Sequence, residues 1–387
     1  MNLSKRIKQV TPSATLDITA KAKQLKQEGV DVISLSAGEP DFDTPQAVKS
    51  AAIQALNEGF TKYTPVSGIP ELKKALSREL ARANHLSYEP DQIVVTCGAK
   101  HAVYNALQVL VDEGDEVIIP SPYWLSYPEM VTLAGGKPVI LRTGSKDGYT
   151  FTAKQLEKLI TKRTKGIIIN SPSNPTGAVF SKTLLEEIGR IVKDRSLFVI
   201  SDEIYGELVY DGVKHYSIGA LDPDVLARTV TVGGASKSYA MTGWRLGFLA
   251  APKSVASAST ALQSHSTSNP TSFAQRGYLE ALRSGAADVE KMRKRFEERR
   301  NLIYRIVNEI PKLTPFKPSG AFYLFVDISK TKLKSIDFAN RLLDQAKVAV
   351  VPGAAFGDDN AVRLSFAASE QDIESGIDRI REWLHKI

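Results

Sequence analysis

The chain predicts an α/β protein with a mostly parallel central sheet covered by helices, joined to a smaller α+β unit. Three observations carry that reading. From Ile93 onward, short runs that are apolar throughout (IVVT, EVIIP, KPVIL, GIIIN, LFVIS and TVTV) alternate with helical segments. Strands buried on both faces of a parallel sheet read this way, because neither face meets water. After about residue 290 the alternation relaxes into a long charged helix, then GAFYLFVDI, VAVVPG, VRLSF and a terminal helix. Finally, 387 residues exceed one typical domain, so two units are expected. The boundaries read as an arm over 1–12, a small domain over 13–45 and 290–387, and a large domain over 46–289.

Before the alternation begins, a helix-like stretch follows PSAT (12–15) and stops at Gly29, a residue suited to the left-handed turn that ends helices. The short strand VISLS then runs into the turn formers of GEPDFDTP. Thr44-Pro45 reads as a helix start, with a hydroxyl cap and a proline in the first turn. Val48, Ala51, Ala52, Ala55 and Leu56 supply its apolar face. A loop, TKYTPVSGIP, leads to a second amphipathic helix over about 71–84. The basic run KMRKRFEERR (291–300) interleaves acids at helical spacing and reads as a solvated face.

Composition narrows the classes of function. Hydrophobic residues make up 43% and charged residues 24% of the chain, as in ordinary globular proteins. No apolar run reaches the length of a membrane span, and MNLSKRIKQV has no signal-peptide core. The single Cys97 provides neither an intrachain disulfide nor a metal cluster, and reads as buried filler. A cytoplasmic protein without a metal or a membrane partner is expected. The net charge of +7 is spread along the chain without a basic tail, which argues against nucleic acid. Neither GxGxxG nor a P-loop motif occurs, which disfavours a nicotinamide oxidoreductase.

Chemistry is expected at the carboxyl ends of the strands, where open α/β sheets bind ligands. After IVVT comes the glycine turn GAKHA, opening a helix whose free N–H groups suit a phosphate. After EVIIP comes SPYWLSYP, with Trp124 as a flat face. Asn174 sits in the proline turn that follows GIIIN, and Asp202 and Tyr205 follow LFVIS. After TVTV the chain breaks at Gly233-Gly234 into Ser236-Lys237-Ser238, with Arg245 eight residues beyond the lysine. Lysine forms Schiff bases with carbonyl cofactors, and arginine grips phosphate bidentately. Each feature alone has an ordinary reading. Asp202 serves as a helix cap, Trp124 and Tyr205 as packing, Lys100 and Lys237 as solvated lysines, Arg245 as a surface arginine, and NPTG as a common turn. Their shared placement favours the parts that a pyridine aldehyde phosphate needs: an amine, a carboxylate, a donor for the ring oxygen, a stacking face and a phosphate cradle.

The chain resembles the class I aminotransferases of fold type I, and among them the bacterial aspartate aminotransferases. The matching stretches are PSAT, AGEPDF, TKYTP, GAKHA, SPYWLSYPEM, NSPSNPTG, SDEIY, SKSYAMTGWRLG, SNPTS, KPSGAFY, VAVVPG and VRLSFA, in the family's order from end to end. The resemblance implies pyridoxal 5′-phosphate as cofactor, carried by Lys237, with Asp202 on its pyridine nitrogen. It implies Asn174 and Tyr205 on the ring oxygen and Trp124 over the ring. Ser236, Arg245 and the backbone at Gly98, Ala99 and Lys100 would take the phosphate. Tyr63 would reach the phosphate of a neighbouring subunit, so a homodimer is implied. Arg363, near the Gly38 backbone, would clamp the substrate α-carboxylate. Lys100, Ser13 and Thr15 would read an acidic side chain. The expected reaction is ping-pong transamination between aspartate and 2-oxoglutarate. Aromatic, alanine or prephenate transamination and β-elimination are the alternatives on the same scaffold, and a regulator built on this fold would carry a DNA-binding domain ahead of PSAT. His101, after Lys100, departs from the commonest family pattern and has no evident role beyond packing or helix surface.

Overall fold

The structure, a computed structural model, describes residues 2–11 and 14–386, with residues 14–17 and 19 described by their backbone alone. A first helix, Ala14–Gln27, leads to β1 (Ile33–Ser34). Seven strands follow: β2 (Ile93–Thr96), β3 (Glu116–Ser121), β4 (Lys137–Arg142), β5 (Thr164–Asn170), β6 (Phe198–Asp202), β7 (Thr229–Gly234) and β8 (Gly247–Ala250). Beyond the helix Ala286–Asn308 come β9 (Thr314–Phe316), β10 (Tyr323–Asp327), β11 (Val348–Ala349), β12 (Val351–Pro352) and β13 (Ala361–Ser365).

The seven strands form one sheet in the order β2-β8-β7-β6-β5-β3-β4. β8 is antiparallel to both of its neighbours and the remaining pairs are parallel. β2 and β7, both opposed to β8, therefore run the same way. The register aligns Asn170 with Asp202, Asp202 with Val232, and both Gly234 and Thr96 with Gly247. The carboxyl ends that the sequence marks for chemistry thus share one edge. β8 (GFLA) was not among the expected runs, because it follows the lysine stretch without an intervening crossover helix. A long crossover is needed only between parallel neighbours, and an antiparallel return needs a short turn.

Helices cover the sheet for the reason their spacing predicts. In Lys182–Asp194, Leu184, Leu185, Ile188, Ile191 and Val192 are buried, and the Ser181 hydroxyl accepts the Leu184 N–H as a cap. They pack with Ile167, Ile169 and Val199 of the sheet. A separate core gathers Ile18, Ile33 and Leu35 with residues of 204–210 and 292–384. Around it, β12-β13-β10-β9 form an antiparallel sheet, and β1 pairs with β11 in parallel. VAVVPG, one run in the sequence, is therefore divided between two sheets.

Two local expectations are corrected. Thr44 does not cap the helix Gln46–Asn57. Its hydroxyl donates to the Ala240 carbonyl and accepts from the Trp244 indole, tying the N-terminal segment to the lysine stretch. Nor is the basic run wholly solvated, since Arg300 is completely buried and Arg299 nearly so. Arg300 pairs with Asp211 at 2.7 Å and Arg299 with Asp41 at 2.7 Å. These arginines lie three and four residues after buried Phe296, on the helix's inward stripe. Their acids come from distant segments, so local spacing could not show the pairing. Among the described residues no helix is long and apolar enough to cross a membrane.

Candidate active site

A cavity of about 390 Å³ opens at the shared strand edge. Gly38, Ala99, Lys100, Trp124, Asn174, Asp202, Tyr205, Ser236, Lys237, Arg245 and Arg363 all line it. The chain brings them together from seven separate stretches.

At its base, Asp202 ends β6 and is buried. Its carboxylate accepts the Tyr127 hydroxyl at 2.7 Å and the Ile204 N–H at 3.2 Å. Burial pushes this carboxyl up to about 6, and the Tyr127 hydrogen bond works against that rise. Across the cavity, Lys237 follows β7 on a single helical turn, Ala235–Ser238. Its ammonium donates to the Gly38 carbonyl at 2.5 Å. Burial lowers it to about 8, Arg363 and Arg245 press the same way, and Glu39 and Asp202 oppose them. An amine so placed reaches its neutral, nucleophilic form near physiological pH.

One wall is an anion cradle. Gly98 precedes the helix Ala99–Leu110 with φ +85°, and a Cβ there would stand 2.5 Å from an Arg245 Nη. The positive φ favours glycine here, and an added Cβ would also push the end of the Arg245 side chain aside. The Arg245 guanidinium donates to the Thr242 and Cys97 carbonyls at 2.8 and 3.3 Å. The N–H groups of Ala99 and Lys100 find no partner in the described backbone, so with Ser236 and Arg245 they form a donor set suited to a phosphate. His101 has a definite contact after all: its Nδ1 accepts the Cys97 N–H at 3.4 Å, bracing this turn. Cys97 is half-buried and lends the turn its backbone, so the filler reading is incomplete.

Trp124 supplies the flat face, with the Lys100 ammonium 4.9 Å from its ring centroid. Burial and the nearby Arg245 both lower the Lys100 ammonium. Arg363, on β13, is 2% exposed. It donates to Asn174 Oδ1 at 2.9 Å and to the Ser36 carbonyl at 3.0 Å. Its guanidinium lies 4.2 Å from the Tyr323 ring and 5.0 Å from the Phe356 ring. With its oxygen so engaged, Asn174 directs its amide N–H₂ elsewhere. The Tyr205 hydroxyl lies 2.8 Å from that of Tyr323, and burial raises Tyr205 well above the ordinary phenol range.

Some expected residues are not brought to this place. Tyr63 does not line the cavity of its own chain and is 91% exposed. Ser13 and the side chain of Thr15 lie outside the described residues. Conversely, the sequence reading assigned no role to Tyr127, Tyr323, Asn170, Glu39 or Thr242, all of which line the cavity. All five lie within quoted motifs (SPYWLSYPEM, KPSGAFY, NSPSNPTG, AGEPDF and SKSYAMTGWRLG), and position in those motifs was the available signal. Glu39 accepts the Thr242 hydroxyl at 2.6 Å, joining two cavity-lining segments 203 residues apart.

A carboxyl, a depressed amine, an aromatic face and a phosphate cradle in one cavity fit a phosphorylated pyridine aldehyde. The family model of aminotransferase class I and II matches residues 30–380. The aspartate aminotransferase of Geobacillus stearothermophilus is 50% identical over 389 residues, covering 99% of each chain. That of Bacillus sp. (strain YM-2) is 49% identical over 383 residues, covering 98% of each. The solved structure of Thermus thermophilus aspartate aminotransferase with maleate superposes with a TM-score of 0.95 at 44% identity, covering 99% of each chain.

Proposed function

Because the chain belongs to the class I and II aminotransferases, we propose that it transfers the amino group of L-aspartate to 2-oxoglutarate in the cytoplasm, giving oxaloacetate and L-glutamate. The observation that carries this reading is the convergence of Lys237, Asp202 and Arg363 in one cavity. Pyridoxal 5′-phosphate, when bound, supplies the carbonyl that receives the amino group and an electron sink for the pair left at the substrate Cα. Asp202 holds a proton on the ring nitrogen. Tyr205 and the Asn174 amide hydrogen-bond the ring oxygen, and Trp124 covers the ring. Ser236, Arg245 and the Gly98, Ala99 and Lys100 backbone hold the phosphate. Arg363 binds the α-carboxylate beside the Gly38 backbone and turns the Cα–H bond toward Lys237, whose neutral amine takes the proton.

The Lys100 ammonium, with Ser13 and Thr15, binds the distal carboxylate of the substrate. Tyr63, exposed on its own chain, serves the phosphate of a second copy, which makes the working form a homodimer. On this reading residues 46–289 hold the cofactor, and 13–45 with 290–387 close over the substrate. The test is oxaloacetate production from aspartate and 2-oxoglutarate by the purified protein loaded with pyridoxal phosphate. Absence of oxaloacetate, with turnover of another amino acid, would refute the assignment of aspartate.

A further inference from the structure

Tyr323 lines the cavity in contact with both Arg363 and Tyr205, and no role in the proposed reaction accounts for it. It opens β10 opposite Ser365 of β13, two residues along from Arg363. This diagonal places Tyr323 and Arg363 on one face of the sheet. The Tyr323 side chain is 1% exposed. Its ring lies 4.2 Å from the Arg363 guanidinium, the shorter of that group's two ring contacts. Its hydroxyl lies 2.8 Å from that of Tyr205, and among the described residues neither hydroxyl has another side-chain partner. A Cβ on Gly38 would stand 3.7 Å from the same oxygen.

We infer that Tyr323 is a positioning residue with two separable duties: its ring holds Arg363 for the substrate carboxylate, and its hydroxyl steadies Tyr205 for the cofactor. The Arg363 charge beside the Tyr323 ring favours Tyr323 as the donor of the shared hydrogen bond. Tyr205, accepting that proton, turns its own O–H toward the cavity, and donation strengthens along such a chain. The inference rests on the functional reading above, because it takes Arg363 and Tyr205 as the groups that meet substrate and cofactor.

Two substitutions separate the duties. Tyr323→Phe keeps a ring beneath Arg363 and deletes the hydroxyl. Loss of one hydrogen bond lowers kcat about 3- to 10-fold, while KM for aspartate stays within about twofold because the ring contact survives. Without its donor, Tyr205 draws less charge from the ring oxygen. The pH midpoint of the bound cofactor's absorbance change therefore rises, by about 0.4 to 1 unit. Tyr323→Leu removes ring and hydroxyl together, and should further raise KM for aspartate and alanine alike, by about 3- to 30-fold. A Phe variant matching the unaltered enzyme in kcat and in absorbance midpoint would overturn the hydroxyl's duty. Equal KM values in the Phe and Leu variants, each verified as folded by circular dichroism, would overturn that of the ring. Failure of the unaltered enzyme to transaminate aspartate is a distinct result, and it would overturn the functional reading itself.

Discussion

Asp202 makes a thermodynamic prediction that runs opposite to its catalytic one. Its carboxyl moves from 3.8 to about 6 because burial disfavours the charge. A group raised in this way favours the folded state while it is protonated. That contribution is complete below about pH 4 and is lost as the pH climbs through 6. The displacement corresponds to about 3 kcal/mol at pH 8. Asn at this position cannot ionise, but it offers one oxygen where Tyr127 and Ile204 each donate a hydrogen bond. Leaving one of them unmet costs about 1 kcal/mol. Cofactor-free Asp202→Asn should therefore be more stable than the unaltered chain by about 2 kcal/mol at pH 8, and the advantage should vanish by pH 4. Urea unfolding of both proteins at one protein concentration, across pH 4–8, measures this. A difference that does not change with pH, or a variant less stable at pH 8, would refute the reasoning. The same substitution should abolish most transamination, because the ring nitrogen loses the group that holds its proton.

Other outcomes follow from the same geometry. Lys237→Ala should lose turnover while still binding pyridoxal phosphate; borohydride reduction of the unaltered holoenzyme, followed by peptide mapping, should label Lys237 and no other residue. Lys100→Ser should lower kcat/KM for aspartate and glutamate about ten- to a hundredfold, the worth of one charge-assisted contact, with much less effect on alanine; equal losses would show that the lysine serves the cofactor. Gly98→Ala drives a methyl to within 2.5 Å of the Arg245 guanidinium, and should weaken pyridoxal phosphate affinity at least about tenfold, as equilibrium dialysis can test. Tyr63→Ala should weaken cofactor binding only where the protein sediments as a dimer, and an active monomer in sedimentation velocity would contradict the shared site.

What was legible in the sequence was whatever depends on near neighbours along the chain. Runs apolar on both faces named the strands, and the residues just beyond them named Asp202, Lys237 and Gly98, because a parallel sheet aligns its carboxyl ends wherever the strands lie in order. The motif resemblance added Arg363, which nothing in its local setting marks. Tertiary structure alone decided what those groups experience. Burial sets the Asp202 carboxyl near 6 and the Lys237 amine near 8, and burial depends on the whole fold. Arg299 and Arg300 read as solvated because Asp41 and Asp211 come from other segments. Thr44 read as a cap because its partners, Ala240 and Trp244, are about 200 residues away. Tyr127 and Tyr323 stood in recognised motifs without a role, since a tyrosine's spacing cannot show which hydroxyl, carboxylate or guanidinium it will meet. Periodicity reports which way a side chain faces, and only the packed chain brings the group on the other side.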